Sequence, residues 1–329
     1  MERMPEFRLS RPASYAEAAA LLAADPNARL LAGGTDLVPN LRRGLEAPSL
    51  LVDLGRVQGA DEVEFGAAEL WLGAGVTLAR LAADPRIERD YTALGEAARA
   101  AAGPSHRSVA TLGGNLCLDT RCVFYNQSAW WRQANDFCLK RGGSVCHVAP
   151  QGARCHAAFS GDLAPALIAL GAEAEWLSAR GTRRLALADC YRDDGAAHLA
   201  VERDEVLVRV HVPAPGAGFI SGYRKARVRG AMDFPLAGVA VALRVRDGVL
   251  DALRVGLSGT NSHPLHLQGT DALLGKPVDD AALASLGKLV QKQVSPMRTT
   301  VTPSNYRRLV AAVHAQRLLR ELAGERPPH

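Results

Sequence analysis

Cysteine is concentrated in one short part of the chain, and clustered thiolates are typical ligands of zinc and of iron–sulfur clusters. Five of the cysteines lie between positions 117 and 155, and the last lies at position 190. Structural zinc sites usually use closely spaced pairs, whereas spacing in iron–sulfur proteins varies more. The spacing alone leaves open a zinc site, an iron–sulfur site and a set of small buried side chains. The residues are Cys117, Cys122, Cys138, Cys146, Cys155 and Cys190.

Two glycine-rich loops have the composition of a phosphate-binding backbone. Adjacent glycines let backbone N–H groups approach a phosphate because no Cβ stands in the way. Neither loop matches the Rossmann or P-loop pattern. Two such loops would suit a pyrophosphate held from two sides, although two ordinary tight turns would have the same composition. The first contains Leu31, Ala32, Gly33, Gly34, Thr35, Asp36 and Leu37, and the second contains Thr111, Gly113, Gly114 and Asn115.

The first glycine loop lies within a small α/β unit formed by about the first 55 residues. Ser14 and Glu17 form a capping-box pattern, which predicts a helix that ends near Ala24. Strands are predicted at Arg29–Ala32 and at Leu50–Leu54. The first of these strands runs directly into the glycine loop.

A second α/β region surrounds the cysteine-rich segment. Strands are predicted at Leu70–Ala74 and Val76–Leu78, and a β-rich run covers Val206–Val212. Leu163–Leu170 is predicted to be a short buried helix. The segment Pro213–Gly218 has the composition of a linker.

The C-terminal part is predicted to be a strand pair followed by two helices. Gly238–Val245 and Leu250–Leu257 flank an Asp247-Gly248 turn, which is typical of a hairpin. The last helix is predicted to begin near Ser304. Its apolar residues recur with helical spacing, which predicts one buried face: Ala311, Ala315, Leu318 and Leu322.

Composition is that of an ordinary globular protein. The 329 residues are 48% hydrophobic and 22% charged, which excludes disordered, collagen-like and disulfide-rich classes and predicts more than one domain. No apolar run approaches the roughly 20 residues of a membrane helix, and no secretory signal is visible, so we expect a cytoplasmic protein. The net charge of +5 permits an acidic partner, but scattered basic residues and only 5% aromatic residues argue against nucleic-acid binding.

Four motifs occur in a fixed order along nearly the whole chain. Two are the glycine loops, the third is Ser160–Leu167 with a Ser-x-Asp-Leu-x-Pro pattern, and the fourth places Lys225, Arg229 and Asp233 four residues apart. In this order they resemble the FAD-binding subunits of the xanthine dehydrogenase (molybdenum hydroxylase) family.

That resemblance implies an α+β fold class. It consists of an FAD-binding fold of the vanillyl-alcohol-oxidase/PCMH type in two α/β subdomains, followed by a C-terminal α+β domain with a sheet and flanking helices. The implied divisions are residues 1–56, 57–214 and 215–329. By the same resemblance the glycine loops hold the FAD pyrophosphate, and Asp162 binds the sugar–phosphate side while also capping the next helix. Lys225 lies near the isoalloxazine, where a cation stabilises reduced flavin.

The cysteines fall in a segment that the family ordinarily lacks. Residues 118–159 stand between the second glycine loop and the Ser-x-Asp motif, and they include the stretch Arg121–Arg132. This insertion resembles that of the β subunits of 4-hydroxybenzoyl-CoA reductases, which holds a [4Fe–4S] cluster. The resemblance implies that Cys117 and Cys190 are structural and that the cluster ligands are Cys122, Cys138, Cys146 and Cys155.

The resemblance also implies an electron-transfer subunit with no catalytic residue of its own. Its expected partners are a molybdenum-cofactor subunit and a [2Fe–2S] subunit, in a dimer of heterotrimers, with ferredoxin as the electron donor. Electrons would pass to molybdenum, where a phenolic hydroxyl is removed to give benzoyl-CoA. We expect the basic residues of the insertion to favour thiolates and to help dock an acidic ferredoxin, and Trp130 and Trp131 to pack the insertion.

Three other interpretations remain at this stage. The chain could be the FAD/[4Fe–4S] subunit of a related molybdenum hydroxylase that acts on another aromatic or N-heterocyclic substrate. It could also be a scaffold protein that has a flavin-binding fold and is stabilised by a structural zinc ion, that is, a zinc-stapled scaffold. A nicotinamide-dependent flavoenzyme is disfavoured because no nicotinamide-binding fingerprint is present.

Overall fold

The computed structural model describes residues 4–298 and 302–324. The helices are α1 (Tyr15–Ala24), α2 (Leu37–Arg42), α3 (Leu78–Ala83), α4 (Pro85–Asp90), α5 (Thr92–Ala100), α6 (Pro104–Arg107), α7 (Leu112–Leu116), α8 (Ala129–Ala134), α9 (Leu163–Ala169), α10 (Asp280–Gln293) and α11 (Ser304–Leu322). The strands are β1 (Arg8–Ser10), β2 (Ala28–Leu31), β3 (Leu50–Asp53), β4 (Val63–Phe65), β5 (Glu69–Gly73), β6 (Glu173–Ser178), β7 (Gly181–Ala186), β8 (Val206–Pro213), β9 (Phe219–Ala226), β10 (Ala237–Arg246), β11 (Val249–Ser258) and β12 (Leu265–His266).

The strands form three sheets in chain order. A parallel sheet has the order β1-β3-β2, an antiparallel five-stranded sheet has the order β4-β5-β8-β6-β7, and an antiparallel four-stranded sheet has the order β12-β11-β10-β9. This mixture of helices and sheets agrees with the predicted α+β class. The predicted domain divisions after residues 56 and 214 each fall between two sheets, and the division itself stays a prediction. Within the described ranges, no helix is long and apolar enough to cross a membrane.

Local sequence signals account for several elements. The Ser14 hydroxyl accepts a hydrogen bond from the Glu17 N–H at 3.2 Å, and the Glu17 carboxylate reaches back to the Ala13 N–H at 2.8 Å. These bonds satisfy N–H groups that have no partner inside α1, so the predicted start of the helix is confirmed. Asp247 and Gly248 have φ angles of 50° and 79°, which are the positive values that a two-residue hairpin turn requires.

The predicted strand Val76–Leu78 is wrong. Thr77 instead caps α3, because its hydroxyl accepts a hydrogen bond from the Arg80 N–H at 3.2 Å. A capping residue has extended backbone angles while the next residues turn into a helix, so an extended stretch of this kind stays short. The neighbouring backbone still pairs with the second glycine loop, through Leu78 N–H to Ala110 at 2.9 Å and Leu112 N–H to Val76 at 2.8 Å.

Helix α9 joins the N-terminal region to the C-terminal sheet. All seven of its residues are buried, and it packs against α5, β10 and β11. The contact with β11 is very close, since a Cβ on Gly256 would lie 2.1 Å from the Pro165 carbonyl oxygen. Glycine at this position therefore allows the sheet and the helix to touch through their backbones.

We predict that Gly256→Ala destabilises the fold by about 3 kcal/mol, because the added methyl group must push α9 away from the sheet. Chemical denaturation measures the change in the free energy of unfolding. Gly230→Ala is the matched control, since nothing lies within 4 Å of the added Cβ. Equal stability of the two variants would contradict the packing argument.

Candidate functional site

The two glycine loops lie side by side. A Cβ on Gly33 would lie 1.9 Å from the Val109 carbonyl oxygen, so the first loop packs on the backbone just before the second loop. Gly34 has a φ of 71°, a left-handed conformation that glycine adopts without strain. Glycine at these two positions therefore lets the loops meet.

The two loops differ in how their backbone N–H groups are used. The N–H groups of residues 33–36 have no acceptor among the described residues. In the second loop, the Gly113 N–H donates to the Ala74 carbonyl at 2.8 Å, and the Gly114 and Asn115 N–H groups donate to Thr111 at 3.1 and 3.0 Å. Half-buried N–H groups need partners, so the first loop is the one with donors available to an anion.

The Ser-x-Asp motif adjoins the second loop. The Asn115 side-chain oxygen accepts from the Leu163 N–H at 3.0 Å, and a Cβ on Gly161 would lie 2.7 Å from the Asn115 carbonyl oxygen. Asn115 thus caps α9. The prediction that Asp162 caps this helix is wrong, because its carboxylate makes no capping bond to the described helix and turns toward β9 instead.

Asp162 and Lys225 form a buried ion pair. The Asp162 carboxylate accepts from Lys225 Nζ at 3.0 Å and from the Tyr223 hydroxyl at 2.7 Å. Lys225 also donates to the Ala100 carbonyl at 3.1 Å. Burial raises the pKa of Asp162, while Lys225 and the Tyr223 hydrogen bond oppose that rise. All four sequence motifs are therefore linked by direct contacts, and Tyr223 is a member that sequence reasoning missed.

The four insertion cysteines surround one cavity. The cavity has a volume of about 10 Å³, and its wall also includes Phe124, Tyr125, Lys140 and His147. All six cysteines are free thiols. Cys190 belongs to the main hydrophobic core, Cys117 packs against that core, and neither lines this cavity. The cysteines around the cavity are Cys122, Cys138, Cys146 and Cys155.

The cavity wall disfavours free thiolates but supplies donors to them. Burial raises the pKa of Cys155 to about 11 and also raises the pKa of Cys122. The Tyr125 N–H donates to Cys122 Sγ at 3.2 Å, and the Ala157 N–H donates to Cys155 Sγ at 3.4 Å. Such N–H···S bonds are typical of cluster-binding thiolates. Within the described ranges, no group of three or more His, Cys, Asp or Glu side chains is positioned so that it could bind one metal ion.

An ion pair connects the insertion to the first glycine loop. Arg121, which directly precedes Cys122, donates from Nη2 to both Asp36 carboxylate oxygens at 2.9 and 3.1 Å. The Arg121 side chain is only 8% exposed, and its other terminal nitrogen, Nη1, has no partner in the described part of the chain. Burial raises the pKa of Asp36, and the Arg121 guanidinium opposes that rise. The pair spans 85 positions, so no local sequence signal could have revealed it.

Three of the five lysine and arginine side chains of the insertion face inward, whereas Arg141 and Arg154 are partly exposed. Arg121 and Arg132 are buried, and the Lys140 side chain is 8% exposed. Arg141 is half-buried and donates to the Gly44 carbonyl at 3.2 Å. The prediction that these charges form a docking surface therefore lacks support from their placement.

The two tryptophans of the insertion differ in environment. Trp130 is 75% exposed, so the prediction that it packs the insertion is wrong. It precedes Trp131 at the start of the short helix α8, whose outer face is open to solvent. Trp131 is half-buried, with its ring centroid 6.1 Å from that of Phe124 on the cavity wall.

Two family models cover almost the whole chain. Residues 5–215 match the FAD binding domain in molybdopterin dehydrogenase. Residues 221–322 match the CO dehydrogenase flavoprotein C-terminal domain.

Curated relatives and solved structures agree with these matches. The FAD-binding subunit of an aldehyde oxidoreductase from Escherichia coli (strain K12) is 34% identical over 83% of this chain and 87% of its own length. The carbon monoxide dehydrogenase medium chain of Afipia carboxidovorans is 27% identical over 94% of each chain. A crystal structure of Cu,Mo-CO dehydrogenase has a TM-score of 0.81 and 25% identity, covering 98% of this chain and 99% of that chain. The predicted fold is confirmed.

We predict that Arg121→Gln weakens the binding of a flavin nucleotide about tenfold, equivalent to about 1.4 kcal/mol. The substitution leaves the Asp36 carboxylate uncompensated beside the N–H groups that would receive the phosphates. Quenching of flavin fluorescence during titration of deflavinated protein measures the affinity.

Arg141→Gln is the matched control for this measurement. It removes another arginine that joins the insertion to the N-terminal unit, but at Gly44, outside the glycine loop. Iron content of both variants is measured in parallel. Wild-type flavin affinity in Arg121→Gln would contradict a role for the ion pair.

Proposed function

This chain belongs to the family of FAD-binding subunits (medium chains) of the xanthine dehydrogenase/CO dehydrogenase molybdenum hydroxylases, and we propose that it carries a [4Fe–4S] cluster in addition to FAD. The observation that carries the proposal is the single cavity lined by four cysteines of the insertion. The chain would transfer electrons from ferredoxin towards the [2Fe–2S] and molybdenum subunits of a 4-hydroxybenzoyl-CoA reductase. A cytoplasmic location is part of the same proposal.

The first glycine loop fits the FAD pyrophosphate. Its N–H groups at residues 33–36 lack acceptors among the described residues, and Gly33 and Gly34 keep side chains away from an incoming phosphate. The second loop would contribute differently from the sequence-based expectation. Its N–H groups at Gly113, Gly114 and Asn115 are already used, so in this proposal it supports the first loop and positions α9.

The Asp162–Lys225 pair fits a place beside the flavin ring system. An ammonium group has three N–H donors, and two of those of Lys225 are used by Asp162 and Ala100. The third remains for the flavin. Asp162 and Tyr223 would hold the ammonium in place, and its positive charge would stabilise reduced flavin. In this arrangement Asp162 acts through Lys225.

The cysteine cavity fits a cluster better than a single zinc ion. Four thiolates around one zinc ion must all lie about 2.3 Å from it, and no group of that kind is present among the described residues. A [4Fe–4S] cluster places its four thiolate ligands on separate irons and so needs a wider cage. Lys140 on the cavity wall and the N–H donors to Cys122 and Cys155 would compensate the negative charge of the thiolates.

The two cofactors supply electron transfer, one-electron at the cluster and one- or two-electron at the flavin. The chain's own residues bind and insulate them. The ion pair between Arg121 and Asp36 joins the cysteine segment to the glycine loop, so both sites would belong to one rigid unit. Substrate chemistry would take place on the molybdenum subunit. The relatives are themselves an FAD-binding subunit and a medium chain of larger enzymes, which supports a multi-subunit assembly. A dimer of heterotrimers is the assembly that we propose.

A second candidate is an FAD/[4Fe–4S] subunit of a related hydroxylase with another aromatic or N-heterocyclic substrate. The diversity of the relatives favours keeping it, since they include a nicotine 6-hydroxylase medium subunit and a caffeine dehydrogenase subunit. Activity of the native complex with 4-hydroxybenzoyl-CoA and reduced ferredoxin distinguishes the two candidates. Absence of that activity in a complex with full cofactor content would select the second.

We predict that the native complex, purified without oxygen, contains about four iron atoms and four acid-labile sulfides per chain beyond those of the partner subunits, together with one FAD. Cys138→Ser should lose that iron and sulfide while keeping the flavin, because Cys138 lines the cavity but not the glycine loops. Metal analysis, sulfide assay and flavin absorbance measure the three quantities.

Cys190→Ser is the control for this substitution, since Cys190 is buried in the main core and lies outside the cavity. It should keep wild-type iron and sulfide. Zinc in place of iron in the wild-type protein would instead favour the zinc-stapled scaffold. Flavin alone, with neither metal, would leave only the wider family assignment.

A further inference from the structure

One positive charge lies on the wall of the cysteine cavity. Lys140 lines the cavity together with the four cysteines, and its side chain is only 8% exposed. The other basic side chains of the insertion, Arg121, Arg132, Arg141 and Arg154, are not part of that wall. Lys140 is therefore the cationic side chain placed closest to whatever the cysteines bind.

The Lys140 ammonium is held in place from behind. Its Nζ donates to an Asp119 carboxylate oxygen at 2.6 Å, to the Thr120 carbonyl at 2.9 Å and to the Thr120 hydroxyl at 2.6 Å. It also lies 4.6 Å from the centroid of the Tyr125 ring. Three polar partners and one aromatic face leave it little freedom to move.

The pair has a fixed polarity relative to the cavity. Lys140 lines the cavity wall, whereas Asp119 does not. Burial alone would raise the pKa of Asp119, yet the neighbouring Lys140 holds it below its usual value. The ammonium end of the pair thus lies on the cavity wall with the cysteines, whereas the Asp119 side chain is 31% exposed and lies off that wall.

Other charged groups near the cavity have separate roles. Arg121 is paired with Asp36, and Arg132 donates to the Tyr125 carbonyl at 3.3 Å and to the Gln127 carbonyl. Arg154 is paired with Asp193 at 2.7 Å. The arginine pairs with Asp36 and Asp193 join the insertion to segments outside it, and Arg132 holds segments within it together.

We propose that Lys140, oriented by Asp119 and Thr120, raises the reduction potential of the cluster held by the four cysteines. The inference rests on the proposed function, because it requires that cluster. Reduction transfers one electron from a low-potential donor to the cluster, which gains one negative charge, and no proton moves. A buried cation beside the cluster stabilises the reduced form, since Coulomb interactions are strong where water is excluded.

The two members of the ion pair carry opposite charges, so removing them one at a time should shift the cluster's midpoint potential in opposite directions. Lys140→Met removes the positive charge at similar side-chain length, so the cluster's midpoint potential should shift to a more negative value. Asp119→Asn removes the negative charge behind the ammonium, so the potential should shift to a more positive value. Lys140→Arg keeps the charge and should stay near the wild-type potential.

The measurement is a dithionite titration of the native complex, followed by the electron paramagnetic resonance signal of the reduced cluster. Arg141→Gln is the matched control, because it removes the next residue's positive charge, which does not line the cavity; its potential should stay near the wild-type value. Because Lys140 is shielded from solvent, the shift in Lys140→Met should persist at high salt concentration.

The outcomes separate the inference from the function on which it rests. Opposite shifts in Lys140→Met and Asp119→Asn support the inference, since a general disturbance of the site would move both potentials in one direction. Unchanged potentials, or shifts of the same sign, in variants with full iron and sulfide would overturn it while leaving the proposed function intact. Wild-type protein without the additional iron and sulfide would overturn the proposed function itself.

Discussion

The contact between Gly33 and the Val109 carbonyl is the constraint on which the site depends. A Cβ at Gly33 would lie 1.9 Å from that oxygen, so at this point the N-terminal unit meets the second region through bare backbone, while α1 packs on β6 and β8 elsewhere. This docking places the first glycine loop beside the second. The second loop then adjoins α9 through Asn115, and Asp162 at the start of α9 reaches Lys225 on β9. Each of the three sheets thus meets the same small region.

The insertion places four cysteines around one cavity close to the glycine loops. It begins just after the second glycine loop and ends just before Asp162, so its two ends lie next to each other beside that loop. Arg121 and Ala158 pair there through reciprocal backbone hydrogen bonds of 2.9 Å. Four cysteines then line one cavity, and the side chains of Arg121, Arg132 and Lys140 are buried in the same segment. Buried positive charge of this kind is costly unless it is paired or faces negative charge. Asp36 and Asp119 pair with Arg121 and Lys140, and a thiolate-bound cluster would supply further negative charge.

Sequence reasoning succeeded where a local pattern has one physical solution. Ser14 and Glu17 marked the start of α1, the Asp247-Gly248 pair marked the β10–β11 turn, and a run of apolar residues marked α9. It failed where a polar side chain had two available partners. Asp162 has the position of an N-cap, yet Asn115 takes that role and Asp162 pairs with Lys225. Thr77 lies in a strand-like run, yet its hydroxyl caps α3. In both cases a distant or competing hydrogen bond outweighed the local preference.

The sequence alone determined the α+β class, the two glycine loops and the set of cysteines in the insertion. Few other residue types can replace glycine or cysteine chemically, so their positions in the sequence are informative by themselves. The resemblance to the flavin-binding family rested on the same kind of information, and comparison with relatives confirmed it at the level of the family. Only the tertiary structure decided which side chains face one another. The Arg121–Asp36 pair spans 85 positions, and the orientation of Lys140 toward the cavity depends on Asp119 and Thr120. Such contacts depend on how segments that are distant in the sequence pack together, and a local sequence pattern does not indicate that packing.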